Sequence, residues 1–318
     1  MADLERMNGS APSTRVLILL VGLAGLGVLA CTDVIDDGAF PAHWAAGMDC
    51  ANASPFQVHA YDEDFYIIRQ SMCLNYEAPF LFLFIGGERA LLMDTGAVPD
   101  ADVYGTVMDI LERRADELGS HPVPLVVAHT HSHGDHRSAD AQFLDAPGVA
   151  TLVGLSESEV MDFWDFTDWP NDTPTFDLGD RVFDVIAIPG HHSTSIALYD
   201  RRTGVLLTGD SVYPGHLFIP SAEAWPVVGA SLDRLVAFAE THSVSWVLGN
   251  HIEVSSQPHE PYVYRTVPHA DERALQFAPS KLLEIAAAVR AMGDAPRCEI
   301  HEDFVIHPTY LCAGDWNG

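Results

Sequence analysis

An α/β sandwich, two β-sheets held between layers of helix, is the fold class the sequence predicts. Two observations carry it. Short apolar runs recur along the chain with amphipathic helical stretches between them, the alternation expected of layered α/β folds. Several of these runs end abruptly in His, Asp and Gly, and the carboxyl ends of strands are where such folds gather ligands. Length agrees: 318 residues with 48% hydrophobic side chains suffice for a large layered core of one to two domains.

From the N-terminus, Arg6 and Arg15 precede an apolar run from Val16 to Ala30. Its fifteen residues are short against the roughly 20 that span a bilayer, so residues 1–31 read as a signal peptide. A polar, flexible segment is expected over 32–60, a main domain over 61–268, and a C-terminal helix and tail over 269–318. Within the main domain, strands are expected at Phe65–Gln70, Phe80–Ile85 and Ala90–Met93. A helix from Asp102 to Leu118 follows, with Val103, Val107, Ile110, Leu111 and Leu118 on one face. Val123–Ala128 is a buried strand bounded by proline. A short helix, a strand near Val149–Val153 and a helix from Ser156 to Trp164 come next. Phe183–Ile188, Ile196–Tyr199 and Val205–Thr208 read as strands, with Gly204 in the turn between the last two. Leu232–Thr241 is a helix, Trp246–Leu248 a strand and Asp271–Met292 a late helix.

Chemistry concentrates after the Val123–Ala128 strand, in His131-Ser132-His133-Gly134-Asp135-His136. Three imidazoles and a carboxylate in six residues are best explained by a metal ion, and nitrogen with some carboxylate favours zinc over calcium or magnesium. His131 and His133 alternate along extended backbone and so point to one side. Asp135 and His136 follow on the turn into a helix.

This run resembles the His-x-His-x-Asp-His signature of the metallo-β-lactamase superfamily, and further segments match in order. Pro189-Gly190-His191 is similar to the family's Pro-Gly-His turn, Thr208-Gly209-Asp210 to its strand-end aspartate, and Gly249-Asn250-His251 to its last histidine. Asp94-Thr95-Gly96 is similar to an early turn whose aspartate supports the site from behind. The resemblance covers residues 65–255 and implies a four-layered αββα sandwich holding two zinc ions. His131, His133 and His191 would ligate the first, Asp135, His136 and His251 the second, with Asp210 bridging. It further implies a hydroxide held between the metals, oriented by Asp135 and used in hydrolysis. Tyr213 and His216 follow Asp210 closely and are candidates for substrate contact.

Other histidines are read as structural. His192 competes with His191, but the turn places the ligand directly after Pro-Gly. His129 precedes the motif and reads as packing or as a donor behind the ligands. His43, His59, His121, His242, His259, His269, His301 and His307 match no pattern. The segments Met161–Phe176, Ser211–Val228 and Ile252–His269 carry aromatic residues that either line a pocket or pack the loops down.

Charge narrows the function. Sixteen basic against forty-five acidic residues give −29, with Lys281 the only lysine, so phosphate backbones are repelled and a nucleic-acid partner is not expected. A small acyl substrate is expected instead: ester, lactone, thioester or β-lactam. A periplasmic β-lactamase proper and a non-catalytic metal-binding lipoprotein are the alternatives; the fold's di-iron electron-transfer proteins usually carry glutamate where this chain has His133. The apolar run ends Val28-Leu29-Ala30-Cys31, which resembles a bacterial lipobox with Cys31 as the lipidated residue. Plain cleavage after Ala30 and an uncleaved anchor stay open. The expected place is the periplasm, with membrane contact only through a lipid anchor. Export favours disulfides, and Cys50, Cys73, Cys298 and Cys312 allow three pairings, read as clamps on the termini.

Overall fold

The computed structural model describes residues 38–312; the signal segment and Cys31 lie outside them. The chain opens with β1 (Phe56–Ala60), β2 (Phe65–Gln70), β3 (Phe80–Ile85), β4 (Ala90–Met93), α1 (Val103–Leu118), β5 (Leu125–Ala128), α2 (Gly134–Arg137) and β6 (Val149–Leu152). It continues through α3 (Glu157–Trp164), β7 (Thr175–Asp177), β8 (Val182–Ala187), β9 (Ile196–Asp200), β10 (Val205–Gly209), β11 (His216–Ile219) and α4 (Ala224–Thr241). It closes with β12 (Trp246–Gly249), β13 (Gln276–Phe277), α5 (Ser280–Met292), β14 (Glu299–Ile300) and β15 (Val305–Pro308).

One six-stranded sheet runs in the order β1-β2-β3-β4-β5-β6 and a second in the order β13-β12-β10-β9-β8-β7. Both are covered on two faces, which is why strands such as FLFLFI are apolar throughout. In β3, Phe80, Phe82 and Phe84 enter the core between the sheets, where Phe84 stacks on Phe65 at 4.3 Å. Leu81, Leu83 and Ile85 point the other way, into a layer shared with Val107, Ile110 and Leu111 of α1. On the far side, Ile186 and Leu206 pack with Leu235 of α4 and Ile285 of α5. These are the four layers.

Several elements differ from the sequence expectation. The segment expected to be flexible is packed where it is described: β1 pairs antiparallel with β2, and Trp44 sits edge-on to Phe80 at 4.9 Å. α4 starts at Ala224 rather than Leu232, because Pro226 falls in its first turn, where a missing N–H costs nothing. α5 starts at Ser280 because the preceding residues pair as β13 against β12 and Pro279 then starts the helix. A third sheet, β11-β15-β14, joins segments about ninety residues apart and was not foreseen. Cys50 pairs with Cys73, and Cys298 with Cys312. Among the described residues no helix is long and apolar enough to cross a membrane.

Topology brings the motifs together. β4 lies parallel to β5, and β10 parallel to β12, so in each pair both strands end at the same edge. The two edges are joined by Ile196 N–H to the Thr130 carbonyl (2.9 Å) and Phe80 N–H to the Asn250 carbonyl (2.8 Å). Gly209, at φ +55°, lies where a Cβ would come within 3.0 Å of Thr130, so the crossing needs glycine.

Candidate metal centre

The seven residues expected to bind metal converge in two clusters, one of His131, His133 and His191, the other of Asp135, His136, Asp210 and His251. Within each cluster the nearest donor atoms all lie within 4.8 Å of one another. Asp210 Oδ2 is also 3.9 Å from His131 Nε2 and 3.7 Å from His191 Nε2, so this carboxylate reaches both groups. Asp135 Oδ2 lies 3.3 Å from His136 Nε2 and 3.5 Å from His251 Nε2.

Hydrogen bonds behind the rings fix which nitrogen faces inward. His191 Nδ1 donates to the Phe218 carbonyl (3.0 Å), His251 Nδ1 to the Glu77 carbonyl (2.8 Å) and His136 Nδ1 to Asp94 Oδ2 (3.1 Å). His131 Nδ1 is 3.2 Å from Thr130 Oγ1, whose own proton goes to Asp94 Oδ2 at 2.8 Å. Four Nε2 atoms are thereby turned toward the centre, the arrangement that outer hydrogen bonds give metal-binding histidines.

The donors fit a cation and fit poorly without one. His133 Nδ1 faces both His131 Nε2 (2.9 Å) and His191 Nε2 (3.0 Å), and one proton cannot serve both contacts. Asp210 Oδ1 is buried with no hydrogen bond among the described residues. Buried imidazole and carboxylate with inward lone pairs suit a transition-metal ion.

Burial holds the His131 and His133 imidazoles below the ordinary histidine range and pushes His191 down to about 4. All three are neutral ligands in waiting. At His136 and His251 burial also disfavours the charged ring, but the carboxylates, Asp210 foremost, overcome it and hold both well above the usual value. Burial likewise opposes ionisation of Asp210 and Asp135, and the same two imidazoles hold both carboxyls well below their usual range.

Asp94 stands where the early turn suggested. It is fully buried, accepts Thr130 N–H at Oδ1 (2.8 Å) and takes Asn250 Nδ2 at Oδ2 (2.6 Å). His129 bonds Asp140 (2.9 Å) and His192 bonds Thr194 (2.9 Å), and neither belongs to the donor clusters. Tyr213 lines the site, but its hydroxyl lies 2.5 Å from the His216 carbonyl and 2.9 Å from Glu253, and its one proton is shared between these two acceptors. His216 bonds Glu253 (3.0 Å) and lines a smaller adjoining cavity rather than the cleft over the donors.

That cleft has a volume of about 460 Å³. Five metal-site residues and Tyr213 line it, and Glu77, Glu253, Phe218, Tyr264, His307 and Thr309 complete its polar and aromatic wall. None of its lining residues is lysine or arginine. A larger hollow, about 860 Å³, opens beside residues 41–57 and 269–276, but none of the seven donors lines it. Of the loop aromatics, Trp164 and Phe166 pack in the core and Trp225 packs beneath α5, leaving Tyr213, Phe218 and Tyr264 at the cleft. The sequence reading assigned no role to Thr130, Glu77, Asn250, Glu253 or His307 at the centre, and reached Phe218 only as one of the aromatics of the Ser211–Val228 segment that either line a pocket or pack down. Only Thr130 and Asn250 carried a signal, each standing directly before a ligand.

Comparison with known proteins identifies the family. The family model described as "Metallo-beta-lactamase superfamily" matches residues 79–240, just over half of the 318 residues, and the chain belongs to that superfamily. It is 28% identical over 201 residues to the acyl-coenzyme A thioesterase MBLAC2 of Bos taurus, covering 54% of this chain and 72% of that protein. It is 30% identical over 149 residues to the hydroxyacylglutathione hydrolase of Methylococcus capsulatus, covering 46% of this chain and 54% of the relative. Among solved structures, the metallo-β-lactamase FIM-1 of Pseudomonas aeruginosa in its mono-zinc form superposes with a TM-score of 0.49 at 13% identity, covering 78% of this chain and 100% of that one.

Proposed function

We propose that the chain is a dinuclear zinc hydrolase of small acyl compounds that are neutral or singly charged. The observation that carries this reading is a pair of donor clusters sharing Asp210 at the floor of a cleft. His131, His133 and His191 would hold one ion, Asp135, His136 and His251 the other, and Asp210 would lie between them. Bound there, two zinc ions would supply Lewis acidity and a nucleophilic water at neutral pH. Asp135, whose side chain is the most exposed of the carboxylates in the two clusters at 26%, would orient that water by accepting its proton. The outer hydrogen bonds that the rings donate to the Phe218 and Glu77 carbonyls and to Asp94 would keep them from turning during the reaction.

The names of the relatives favour an acyl substrate, but coenzyme A carries several negative charges and glutathione two carboxylates against one ammonium. Against them stand a net charge of −29 and a cleft with two carboxylates, Glu77 and Glu253, beyond the donor set. Neutral or singly charged esters, lactones, thioesters and β-lactams suit such a wall better. The test is zinc content after mild purification, followed by a panel of these compounds and of phosphodiesters. Close to two zinc per chain and hydrolysis of at least one acyl class support the proposal. A stable single ion, iron in place of zinc, or activity on phosphodiesters alone sinks it. The apolar run and Cys31 support export as a lipoprotein, a proposal that rests on sequence.

A further inference from the structure

We propose that Arg265 is a specificity-determining residue of this hydrolase, its guanidinium taking a carboxylate of the acyl substrate at the mouth of the cleft. The inference rests on the acyl-hydrolase reading above and narrows its substrates to acyl compounds with one negative charge. It goes beyond the motifs, since the span matched by the superfamily ends at residue 240.

A turn in the loop following β12 places the residue. Tyr264, half-exposed, lines the cleft over the metal donors, and Arg265 lines the smaller cavity beside it. The two spaces share Glu77, Glu253 and Tyr264 as walls. The Arg265 guanidinium sits 5.2 Å from the centre of the Tyr264 ring and 5.3 Å from that of Tyr76. These rings stand edge to face at 5.2 Å with their hydroxyls 2.7 Å apart, so they form one cradle for the cation. Thr266 N–H (2.9 Å) and Oγ1 (2.6 Å) both return to the Val263 carbonyl, closing a turn in which Arg265 stands at φ +65°. An arginine in the left-handed region costs backbone energy, a cost that collects at ligand-binding positions.

Charge gives the residue its role. Arg265 is exposed, and its N–H groups donate to the hydroxyls of Tyr76 and Tyr264. A guanidinium has more N–H groups than two phenol oxygens use, and stacking on ring faces leaves its edge open to a carboxylate. Nearby bases are matched in charge: Arg273 pairs with Glu302 (3.6 Å) and Asp303 (3.8 Å), and Arg69 with Glu272 (2.6 Å). Among the described residues no carboxylate forms an ion pair with Arg265. A cation without a counter-charge thus stands at the mouth of a cleft whose wall carries Glu77 and Glu253. One carboxylate on the substrate is matched there, and a second, deeper one would meet the two glutamates. The acyl carbonyl would face the metal donors and the carboxylate the mouth, with Tyr264 between them.

The experiment takes the acyl class that the zinc-loaded wild type hydrolyses best and compares three versions of one compound, ending in a carboxylate, a carboxamide or an ammonium group. Wild type, Arg265→Gln and Arg265→Lys are measured on all three at low salt, with zinc content checked for each. The wild type should favour the carboxylate over the carboxamide. Arg265→Gln should lower that ratio of kcat/KM about tenfold, mainly through KM, and Arg265→Lys, which keeps the charge but not the fork, should keep part of the preference. Added salt should shrink the wild-type preference and leave the ratio of the Gln variant nearly flat. An unchanged ratio in Arg265→Gln overturns the proposal, as does a wild type that favours the ammonium form, which would give the choice to Glu77 and Glu253. In either case hydrolysis of the carboxamide leaves the acyl-hydrolase reading standing. A wild type that holds two zinc ions yet hydrolyses no ester, thioester, lactone or β-lactam overturns both.

Discussion

Replacing Asp94 by Asn tests how far the metal centre depends on one buried carboxylate. Its Oδ2 takes the Thr130 hydroxyl (2.8 Å) and Asn250 Nδ2 (2.6 Å) and faces His136 Nδ1 (3.1 Å), while Oδ1 takes Thr130 N–H (2.8 Å). Asparagine keeps the shape and one acceptor but sets an N–H₂ among donors. Three donors lose their acceptor. A buried donor left unpaired costs about 1–3 kcal/mol, and taking the low end for each because the site can relax gives roughly 3 kcal/mol of lost stability in the metal-free chain. The effect on metal is separate: removing the partner of a ligating histidine typically lowers affinity about 10–100-fold. That loss should fall on the ion held by His136, since His131 meets Asp94 only through Thr130. Urea unfolding of the metal-free protein reads the first effect, and zinc titration against a chelator of known affinity reads the second. If Asp94→Asn unfolds within about 0.5 kcal/mol of the wild type and binds two zinc ions with native affinity, the support role is wrong.

Asp210→Ala and His251→Ala should each lower the affinity for the second zinc more than for the first, because His131, His133 and His191 are untouched; a variant that keeps two ions and full turnover removes that residue from the ligand set. Against the pull of burial, the carboxylates around His136 and His251 hold both rings protonated above the usual range, so filling that cluster must expel protons and its affinity should fall as pH is lowered from about 8 to about 6. Burial keeps the three-histidine cluster neutral, so its affinity should stay nearly flat over that range; calorimetry in two buffers of different ionisation heat counts the protons, and equal release by both ions contradicts the assignment. Neutral acyl esters should show higher kcat/KM than a glutathione thioester, and added salt should change the neutral rate only modestly; a clear preference for the thioester would make that class the substrate. Cys31→Ser should move the protein from membranes to the soluble periplasmic fraction, and a variant that stays bound would mark the apolar run as an anchor.

The seven donor residues were legible because each stands in a short run of distinctive residues that follows a strand, with Asp135 and His136 carried on into α2. Strands β2, β3, β4, β8, β9 and β10 were legible for the same local reason, being apolar on both faces. β1 was not: it is an edge strand whose Val58 stays exposed and whose other residues are half-polar, so nothing in its pattern separates it from a loop. β11, β13 and β15 are strands because of partners far along the chain, which no local pattern announces. α4 begins eight residues before the expected Leu232, with Pro226 accommodated in its first turn, where no N–H is needed.

Within the site the same division separates what a motif can state from what it cannot. The nitrogen each histidine turns inward is set at His191 and His251 by backbone carbonyls, those of Phe218 and Glu77, and a carbonyl is present whatever the side chain. No sequence pattern could have named those two residues. Thr130 and Asn250 act through side chains, and each stands one position before a ligand, because a residue following a strand end can reach the aspartate of the neighbouring strand. The metal chemistry is therefore encoded locally and redundantly. The outer wall of the cleft is assembled from β11, β15 and the loop holding Tyr264, which pairing alone brings to the metals. Substitutions in that wall can change which substrate is held without replacing any of the seven donors, and substrate choice should respond most to Phe218 and Tyr264.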